Sequence, residues 1–248
     1  MHYVISDIHG CYDQYRKLLE EIQFSDEDVL YVLGDVVDRG PEPMKVLQDM
    51  MMRPNVIPIL GNHEYMALTT LQELNVEVTE ENHDAYLNLD MMRDYMNWME
   101  NGGETTVKGF RRLDADTKET VLEYLEEFSA YEIVETGGRI YVLVHAGIGG
   151  YCPGKSLDDY DFSDFIFYGP DYSRRYFKEG VAMVVGHTPV MSLYEDGRCE
   201  LYEENGTFCI DGGCVFGGKL FALRLEDQRV FAVDGPCEKI DENCGQGV

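Results

Sequence analysis

Polar residues recur at one kind of position in this 248-residue chain, directly after short apolar runs. Six segments share that position: 6–9 (SDIH), 34–40 (GDVVDRG), 61–64 (GNHE), His145, 186–188 (GHT) and 211–213 (DGG). Four of the six histidines fall in these segments: His9, His63, His145 and His187. A lone histidine is more often a surface or core residue than a ligand, and we interpret His2 and His83 in that way. The grouping of the other four favours a functional site.

The residue types in these segments suit a borderline-hard divalent metal ion. Imidazole, carboxylate and amide oxygen ligands together favour Mn, Fe or Zn, and no cysteine belongs to the set. Asp7 and His9 are two residues apart, so they leave a strand end on the same side and can bind one ion. Asp35 can bridge two ions because a carboxylate has two oxygens. An aspartate after a strand is usually a turn or helix cap, and that interpretation stays strong for Asp13 and Asp211.

Strands and helices alternate in the first sixty residues and position these segments. Apolar runs at 3–5, 29–33 and 56–60 predict strands, and helical spacing over 12–22 and 41–50 predicts helices. This order predicts a parallel sheet with right-handed crossovers. Pro58 indicates that the third strand lies at a sheet edge or contains a bulge. Because ligands bind at the carboxyl ends of parallel strands, we expect the polar segments to meet in one crevice.

The rest of the chain predicts a helical stretch followed by further strands. Residues from about 65 to 130 are expected to form either a helical cap inserted over the sheet or a plain helical layer, broken at Gly102-Gly103. Strands are predicted at 131–134, 140–144, 181–185, 192–194, 200–202, 207–210, 220–225 and 230–233. The last five suggest a second, mixed or antiparallel sheet. We expect one domain over 1–235 and a flexible tail over 236–248.

The composition is strongly acidic. Asp and Glu number 47 against 20 Lys and Arg, which gives a formal net charge of −27. Such a surface repels nucleic acid and anionic lipid and favours cations, so neither a nucleic acid nor a membrane is expected as a partner. Most of this charge is interpreted as a solvated face that maintains solubility.

A cytoplasmic location is expected. No apolar run approaches the roughly 20 residues of a membrane span, and the first residues lack the basic stretch and cleavage site of a signal peptide. The seven cysteines are scattered without a CxxC pair, so reduced thiols are expected. A disulfide between Cys237 and Cys244 has little support.

Five motifs, in this order, resemble those of the calcineurin-like metallophosphoesterase superfamily: SDIHG, GDVVDRG, GNHE, VHAG and GHTP. The similarity is greatest to the phosphoprotein phosphatase branch in its bacterial and phage type, whose closing strand motif resembles IDGGCVFGGKL. The motifs span residues 6 to 220, most of the chain. The resemblance implies an α/β fold, a two-sheet αββα sandwich with a helical cap insertion.

The resemblance also implies a role for each matching residue. Two divalent metal ions are expected as cofactors, with Mn preferred over Fe or Zn. The implied ligands of the first ion are Asp7, His9 and Asp35, and those of the second are Asp35, Asn62, His145 and His187. The resemblance further implies that a hydroxide between the metals would attack phosphorus in line. His63, held by Asp38, is the implied general acid. Arg39 is expected to grip the phosphate, and Arg174 and Arg175 are further candidates for binding it.

Two enzymatic functions and one non-catalytic function compete. The leading interpretation is a serine/threonine protein phosphatase, whose partner is a phosphorylated protein or peptide, or a small phosphate ester; Asp38 and Glu64 favour it. Leu60 favours a dinucleoside polyphosphate (diadenosine tetraphosphate) hydrolase, because family phosphatases often carry arginine there. A non-catalytic metal-binding scaffold is disfavoured, since it would be free to lose a ligand and none is missing. The net charge of −27 predicts a preference for basic phosphopeptides over polyanions.

Overall fold

The computed structural model describes residues 1–75 and 89–236. The interpretations of His83, of Cys237 and Cys244, and of the tail beyond residue 236 lie outside these residues. In the described part of the chain the strands are β1 (His2–Ile5), β2 (Val29–Val32), β3 (Val56–Pro58), β4 (Tyr131–Thr136), β5 (Arg139–Val144), β6 (Val181–Val185), β7 (Tyr202–Glu204), β8 (Thr207–Cys209), β9 (Lys219–Arg224) and β10 (Arg229–Asp234).

Seven α-helices lie in the same ranges: α1 (Tyr12–Glu21), α2 (Pro43–Met51), α3 (Asn62–Leu74), α4 (Leu89–Glu100), α5 (Glu104–Arg111), α6 (Ala115–Glu126) and α7 (Phe162–Ile166). Helix α2 begins at Pro43 rather than at Pro41, the expected start. A proline suits the first helical turn because its missing N–H would have no partner there. No described helix is long and apolar enough to cross a membrane.

The first sheet has the strand order β10-β9-β1-β2-β3. Strands β1, β2 and β3 are parallel neighbours, as the alternation of strands and helices predicts. Strand β3 is the edge strand, which confirms the sheet edge indicated by Pro58. Strands β9 and β10 form an antiparallel hairpin that adds to the other side of β1.

The second sheet has the order β4-β5-β6-β8-β7. Strands β5, β6 and β8 are parallel, whereas β4 and β7 flank them as antiparallel strands. Gly137 and Gly138 join β4 to β5, and both have positive φ angles, 58° and 75°. A two-residue hairpin turn with two positive φ angles favours glycine at both positions.

The two sheets pack face to face, with helices outside them. Because side chains alternate along a strand, Val4 packs between the sheets, near Leu143 and Val184. Its neighbours Tyr3 and Ile5 point the other way, into a core shared with the helices of the first sheet. A third core covers the outer face of the second sheet and includes residues of α7. This is the expected αββα sandwich.

The helices between residues 62 and 126 continue the outer layer of the first sheet. Helix α4 packs against α3, and α5 packs against α2. Gly102 and Gly103 separate α4 from α5, as the sequence indicates. The division into one domain over 1–235, with a cap insertion over about 65–130, stays a prediction.

Two predictions about the C-terminal third are wrong. Residues 192–194 form no strand, because a 3₁₀ helix over Val190–Ser192 follows Pro189 and is closed by Ser192 N–H donating to the Pro189 carbonyl. The last hairpin does not belong to the second sheet but extends the first. Strand β9 is buried along its middle residues, which a central strand requires, and local periodicity does not specify the partner strand.

Candidate metal centre

The loops after β1, β2 and β3 are interlocked. Asp7 N–H donates to the Gly34 carbonyl at 3.1 Å, and His9 N–H donates to the Asp35 carbonyl at 2.8 Å. Gly61 lies so close that a Cβ there would be 2.5 Å from both the backbone nitrogen and Oδ1 of Asp35. Only glycine fits at this position, and the three loops therefore bring their polar side chains together.

Left-handed backbone conformations concentrate in these loops. Nine non-glycine residues in the described ranges have positive φ, and six of them are candidate site residues: Asp7, His9, Asp35, Asp38, Arg39 and His187. Such conformations are unfavourable for residues with a Cβ, although Asp and His tolerate them better than most. Backbone strain of this kind clusters at functional sites, which supports the assignment of these loops.

Asp35 lies between two clusters of potential ligands. One cluster contains Asp35, His9 and His63, and the other contains Asp35, His145 and His187; within each, the ligand atoms lie within 4.8 Å of one another. Asp35 Oδ2 is 3.5 Å from His9 Nε2, and Oδ1 is 3.5 Å from His145 Nε2. The two oxygens of one carboxylate thus face two clusters, as a bridging ligand must.

Asn62 completes the second cluster. Its Oδ1 is 3.0 Å from both His145 Nε2 and His187 Nδ1, so three atoms with lone pairs converge. Asp7 is placed differently, because its carboxylate accepts the His187 backbone N–H at 3.0 and 3.2 Å and joins neither cluster. A Cβ on Gly186 would lie 2.2 Å from Asp7 Oδ2, so this glycine allows the close approach.

Backbone carbonyls orient two of the imidazoles. His9 Nδ1 lies 2.8 Å from the Val37 carbonyl, and His145 Nδ1 lies 2.6 Å from the Leu33 carbonyl. A carbonyl can only accept, so Nδ1 carries the proton in both rings and Nε2 presents its lone pair to the centre. Metal-binding histidines are usually oriented by such hydrogen bonds.

The electrostatics of the donor set fit divalent cations. Burial, reinforced by Asp211 and Asp35, raises the pKa of Asp7 well above its usual range. Burial also raises the pKa of Asp211 to about 7. Burial acts likewise on Asp35, but the surrounding histidines, His145 foremost, outweigh it and lower its pKa. Bound cations would neutralise these buried carboxylates.

The imidazoles have the protonation state that metal binding needs. Burial lowers the pKa of His9 to about 3 and that of His187 to about 4, and it also lowers the pKa of His145. All three are therefore neutral near pH 7, as metal ligands must be. Imidazole, carboxylate and amide ligands without thiolate suit Mn, Fe or Zn.

His63 differs from the other three histidines. Its Nδ1 lies 2.6 Å from Asp38 Oδ2, and both side chains are buried. Burial lowers the pKa of His63, but the carboxylates of Asp35 and Asp38 more than offset it, so the net shift is upward. A buried imidazole that retains its proton suits a general acid.

Comparisons with known proteins agree with this geometry. Residues 3–218 match the family model described as Calcineurin-like phosphoesterase. This chain belongs to that family. The phosphoesterase is thus a metal-dependent hydrolase of phosphate esters, and its fold implies divalent metal ions; the branch within the family stays a prediction.

Several relatives of this phosphoesterase are named bis(5'-nucleosyl)-tetraphosphatases. It is 28% identical to bis(5'-nucleosyl)-tetraphosphatase PrpE [asymmetrical] of Anoxybacillus flavithermus, over 93% of this chain and 92% of the relative. It is 35% identical to a symmetrical bis(5'-nucleosyl)-tetraphosphatase of Buchnera aphidicola, over 39% of this chain and 36% of the relative. A structure titled as a putative diadenosine tetraphosphatase shares the fold at a TM-score of 0.63 and 20% identity, covering 95% of this chain and 93% of that one.

The predicted phosphate-binding arginines are not all at the centre. The Arg39 guanidinium contacts His9 Nε2, and its backbone N–H donates to the Gly102 carbonyl at 2.9 Å. Arg174 lies over the rings of Tyr151 and Tyr176 instead, with its guanidinium carbon 5.0 and 5.1 Å from their centroids.

Arg175 lies at the opposite end of the second sheet. It lines a cleft beside the first residues of β5 and β6, whereas His145 and His187 follow the last residues of those strands. A strand of five residues spans about 16 Å. The structure therefore does not bring Arg175 to the metal centre.

Three residues support the site in ways that the sequence does not predict: Glu64, Trp98 and Thr106. The Glu64 carboxylate accepts backbone N–H bonds from four residues in two loops: Asp35 (2.7 Å), Val36 (2.7 Å), Val37 (3.1 Å) and Gly61 (3.1 Å). Trp98 and Thr106 both donate to Asp38. The only signal for Trp98 is that it is the single tryptophan of the chain, and no spacing rule links it to the GDVVDRG motif.

Proposed function

We propose that this phosphoesterase hydrolyses dinucleoside polyphosphates such as diadenosine tetraphosphate. The observation that carries the proposal is the full-length similarity to bis(5'-nucleosyl)-tetraphosphatases, which extends over 92% or more of both chains in three relatives. Leu60 agrees with it, because the protein phosphatases that share these motifs often carry arginine at this position. The dinucleotide thus replaces the phosphoprotein as the leading substrate.

The ligand assignment is part of the proposal. We assign His9 and Asp35 to one ion, with Asp7 joining them, and Asp35, Asn62, His145 and His187 to the other. Manganese is the proposed metal, with iron or zinc as alternatives. When bound, such ions stabilise charge on phosphoryl oxygens and lower the pKa of water.

Protein groups around the centre are assigned to binding and proton transfer. Arg39 binds a phosphate through a planar guanidinium that can donate two parallel hydrogen bonds. His63 holds a proton at a site 3.9 Å from Asp35 Oδ2 and delivers it to the departing oxygen. Asp38 holds the His63 ring in place through Nδ1, so that Nε2 faces the reacting groups.

A serine/threonine protein phosphatase is the second candidate. The net charge of −27 favours it, since an acidic surface attracts basic phosphopeptides and repels a polyphosphate. Asp38 and Glu64 also belong to motifs that such phosphatases share. Structural similarity to a yeast protein serine/threonine phosphatase, at a TM-score of 0.55 and 12% identity, concerns the fold alone.

A substrate panel distinguishes the two candidates. The purified protein with saturating Mn²⁺ is assayed on diadenosine tetraphosphate, a basic phosphoserine peptide and p-nitrophenyl phosphate. The proposal expects the highest kcat/KM for the dinucleotide, with no activity in the Asp35→Ala control. Product analysis then separates ATP plus AMP from two ADP. A phosphopeptide that is the better substrate by a wide margin would reverse the order of the candidates.

A further inference from the structure

Exposed aromatic side chains adjoin the candidate metal centre on two sides. In the described ranges the exposed aromatic residues are Phe162, Phe167, Tyr168 and Phe216, at 43–63% exposure. Apolar residues scattered singly over a surface are ordinary and need no explanation. Three of these four are not scattered, because Phe162, Phe167 and Phe216 each belong to one of two surfaces next to candidate ligands.

The first surface is the ring of Phe216. It ends a 3₁₀ helix over Cys214–Phe216, in a tight loop in which Phe216 N–H donates to the Gly213 carbonyl at 3.0 Å. Phe216 lies at the surface in this loop and is 63% exposed. The Arg39 guanidinium carbon lies 5.3 Å from the ring centroid, and the same guanidinium contacts His9. One face of the metal centre thus ends in an exposed aromatic ring.

The second surface surrounds Tyr65. Its ring centroid lies 5.1 Å from that of Phe162 and 6.2 Å from that of Phe167. Tyr65 and Phe167 also line a cavity of about 220 Å³ together with the amide-bearing Asn97. Tyr65 follows Asn62 by three residues on α3, a rise of about 4.5 Å, so this surface begins one helical turn from a candidate ligand.

We propose that these two surfaces are nucleobase platforms, one for each nucleoside of a dinucleoside polyphosphate. The proposal rests on the function proposed above and names how the substrate is recognised. Phe216 lies on the His9 side of Asp35, and Tyr65 lies on the Asn62 side. A polyphosphate that crosses the metal centre therefore has an aromatic surface at both of its ends.

Stacking suits a site on so acidic a protein. A nucleobase is uncharged near pH 7 and has a π-face, so its attraction to an aromatic ring does not depend on the net charge of −27. The Asn97 amide in the second surface offers both a donor and an acceptor to a base edge. The bases would supply binding that the polyphosphate loses through long-range repulsion.

The test compares substrates with two bases, one base and none: diadenosine tetraphosphate, adenosine 5'-tetraphosphate and p-nitrophenyl phosphate. Phe216→Leu and Phe167→Leu remove one ring each while retaining apolar bulk. Each should raise KM for the dinucleotide about 5- to 150-fold, the range that stacking on one ring produces, with a much smaller loss on p-nitrophenyl phosphate. The double variant should lose most of the preference for the dinucleotide over adenosine 5'-tetraphosphate.

Two further variants control this test. Phe216→Trp restores a ring and should keep KM near that of the wild type. Ile133→Ala removes another exposed apolar side chain, which lies on β4 and is 55% exposed. It should leave the kinetics on the dinucleotide and on p-nitrophenyl phosphate unchanged. Thermal unfolding of each variant verifies that it is folded.

The outcomes separate this proposal from the proposed function. A wild-type protein that turns over the dinucleotide poorly contradicts both. A wild-type protein that prefers the dinucleotide, with leucine variants of unchanged KM, overturns the platforms and leaves the function standing. Leucine variants that lose equal activity on the dinucleotide and on p-nitrophenyl phosphate also overturn the platforms, because such a loss indicates that the substitutions disturb the metal centre.

Discussion

Asp38 accepts hydrogen bonds from three side chains. Its Oδ2 lies 2.6 Å from His63 Nδ1 and accepts from Trp98 Nε1 at 2.8 Å, and its Oδ1 accepts from Thr106 Oγ1 at 2.6 Å. Asp38 N–H in turn donates to Thr106 Oγ1 at 2.9 Å. The position of the proposed acid, His63, is therefore fixed by residues of α4 and α5.

Two neighbouring threonines on α5 test this arrangement. Thr106→Val removes two hydrogen bonds around Asp38, whereas the hydroxyl of Thr105 is buried without a hydrogen-bond partner in the described structure. A hydrogen bond to a charged group contributes about 1.5–3 kcal/mol. Thr106→Val should lower kcat about tenfold or more at unchanged metal content, and Thr105→Val should not. Equal kinetics in the two variants would show that Asp38 does not depend on Thr106.

His63 and Asp35 have different proposed roles, so their variants should differ. Asp35→Ala removes the carboxylate between the two clusters and should lower metal content and activity together. His63→Asn should retain the metals and lose turnover, more for an alkyl phosphate than for p-nitrophenyl phosphate, whose leaving group scarcely needs a proton. Elemental analysis and kinetics on both substrates measure this. Equal losses on the two substrates would exclude the general-acid role.

At the scale of elements, the loops after the strands are the part that the sequence predicts best. Apolar runs followed by GDVVDRG or GNHE mark both a strand and the turn after it, since glycines there allow close backbone approach. The proximity of the proposed ligands Asp35 and Asn62 is therefore predictable from the sequence. Contacts made by helices are not, because nothing in local periodicity indicates that Trp98 reaches Asp38.

The errors have the same physical origin. The hairpin over 219–234 is visible from alternation, but its partner strand depends on which face the rest of the sheet leaves open. Arg174 and Arg175 stand between two histidine motifs in the sequence, yet the loop carries Arg175 to the far end of β5 and β6. Order along the chain predicts which residues follow a strand, and it does not predict where a long loop goes.

Chelation should destabilise the strand-end loops. Asp7, Asp35 and Asp211 are buried carboxyl groups, and burial raises the pKa of Asp7 and Asp211, so their ionised forms need compensating cations. Ions at 100 times their dissociation constant would stabilise the fold by about 2.7 kcal/mol, or roughly 5–10 °C in Tm for a chain of this size. We expect EDTA to lower Tm and abolish activity, and Mn²⁺ to restore both.

Asp211→Asn is the control for that measurement. It removes one of the three buried carboxyl groups at a residue that is not a proposed ligand, and an amide oxygen can still accept the Gly213 N–H. Chelation should therefore lower the Tm of the variant by less than it lowers the Tm of the wild type. A Tm that is independent of EDTA in both proteins would contradict a metal site in these loops.

At the scale of the whole molecule, charge and family similarity favour different substrates. The net charge of −27 creates a long-range field that repels a polyphosphate and attracts a basic peptide. The similarity to bis(5'-nucleosyl)-tetraphosphatases favours the polyphosphate. The two agree only if local groups, namely the ions, Arg39 and the aromatic platforms, outweigh the field at close range. The field then acts on the encounter rather than on the bound complex.

The salt dependence of kcat/KM distinguishes the effect of the long-range field from that of the local groups. Screening, with a Debye length of about 10 Å at 0.1 M, weakens long-range repulsion but leaves short contacts mostly intact. With Mn²⁺ saturating, kcat/KM for diadenosine tetraphosphate should therefore rise as salt increases from low ionic strength to about 0.2 M. For a basic phosphopeptide it should fall, and for p-nitrophenyl phosphate, which carries less charge, it should change least. Repeating the series with NaCl and KCl excludes an effect of one particular cation. A dinucleotide whose kcat/KM falls steeply with salt would instead place an attractive basic surface along its path, and the net charge would then be a poor guide to the field that the substrate meets.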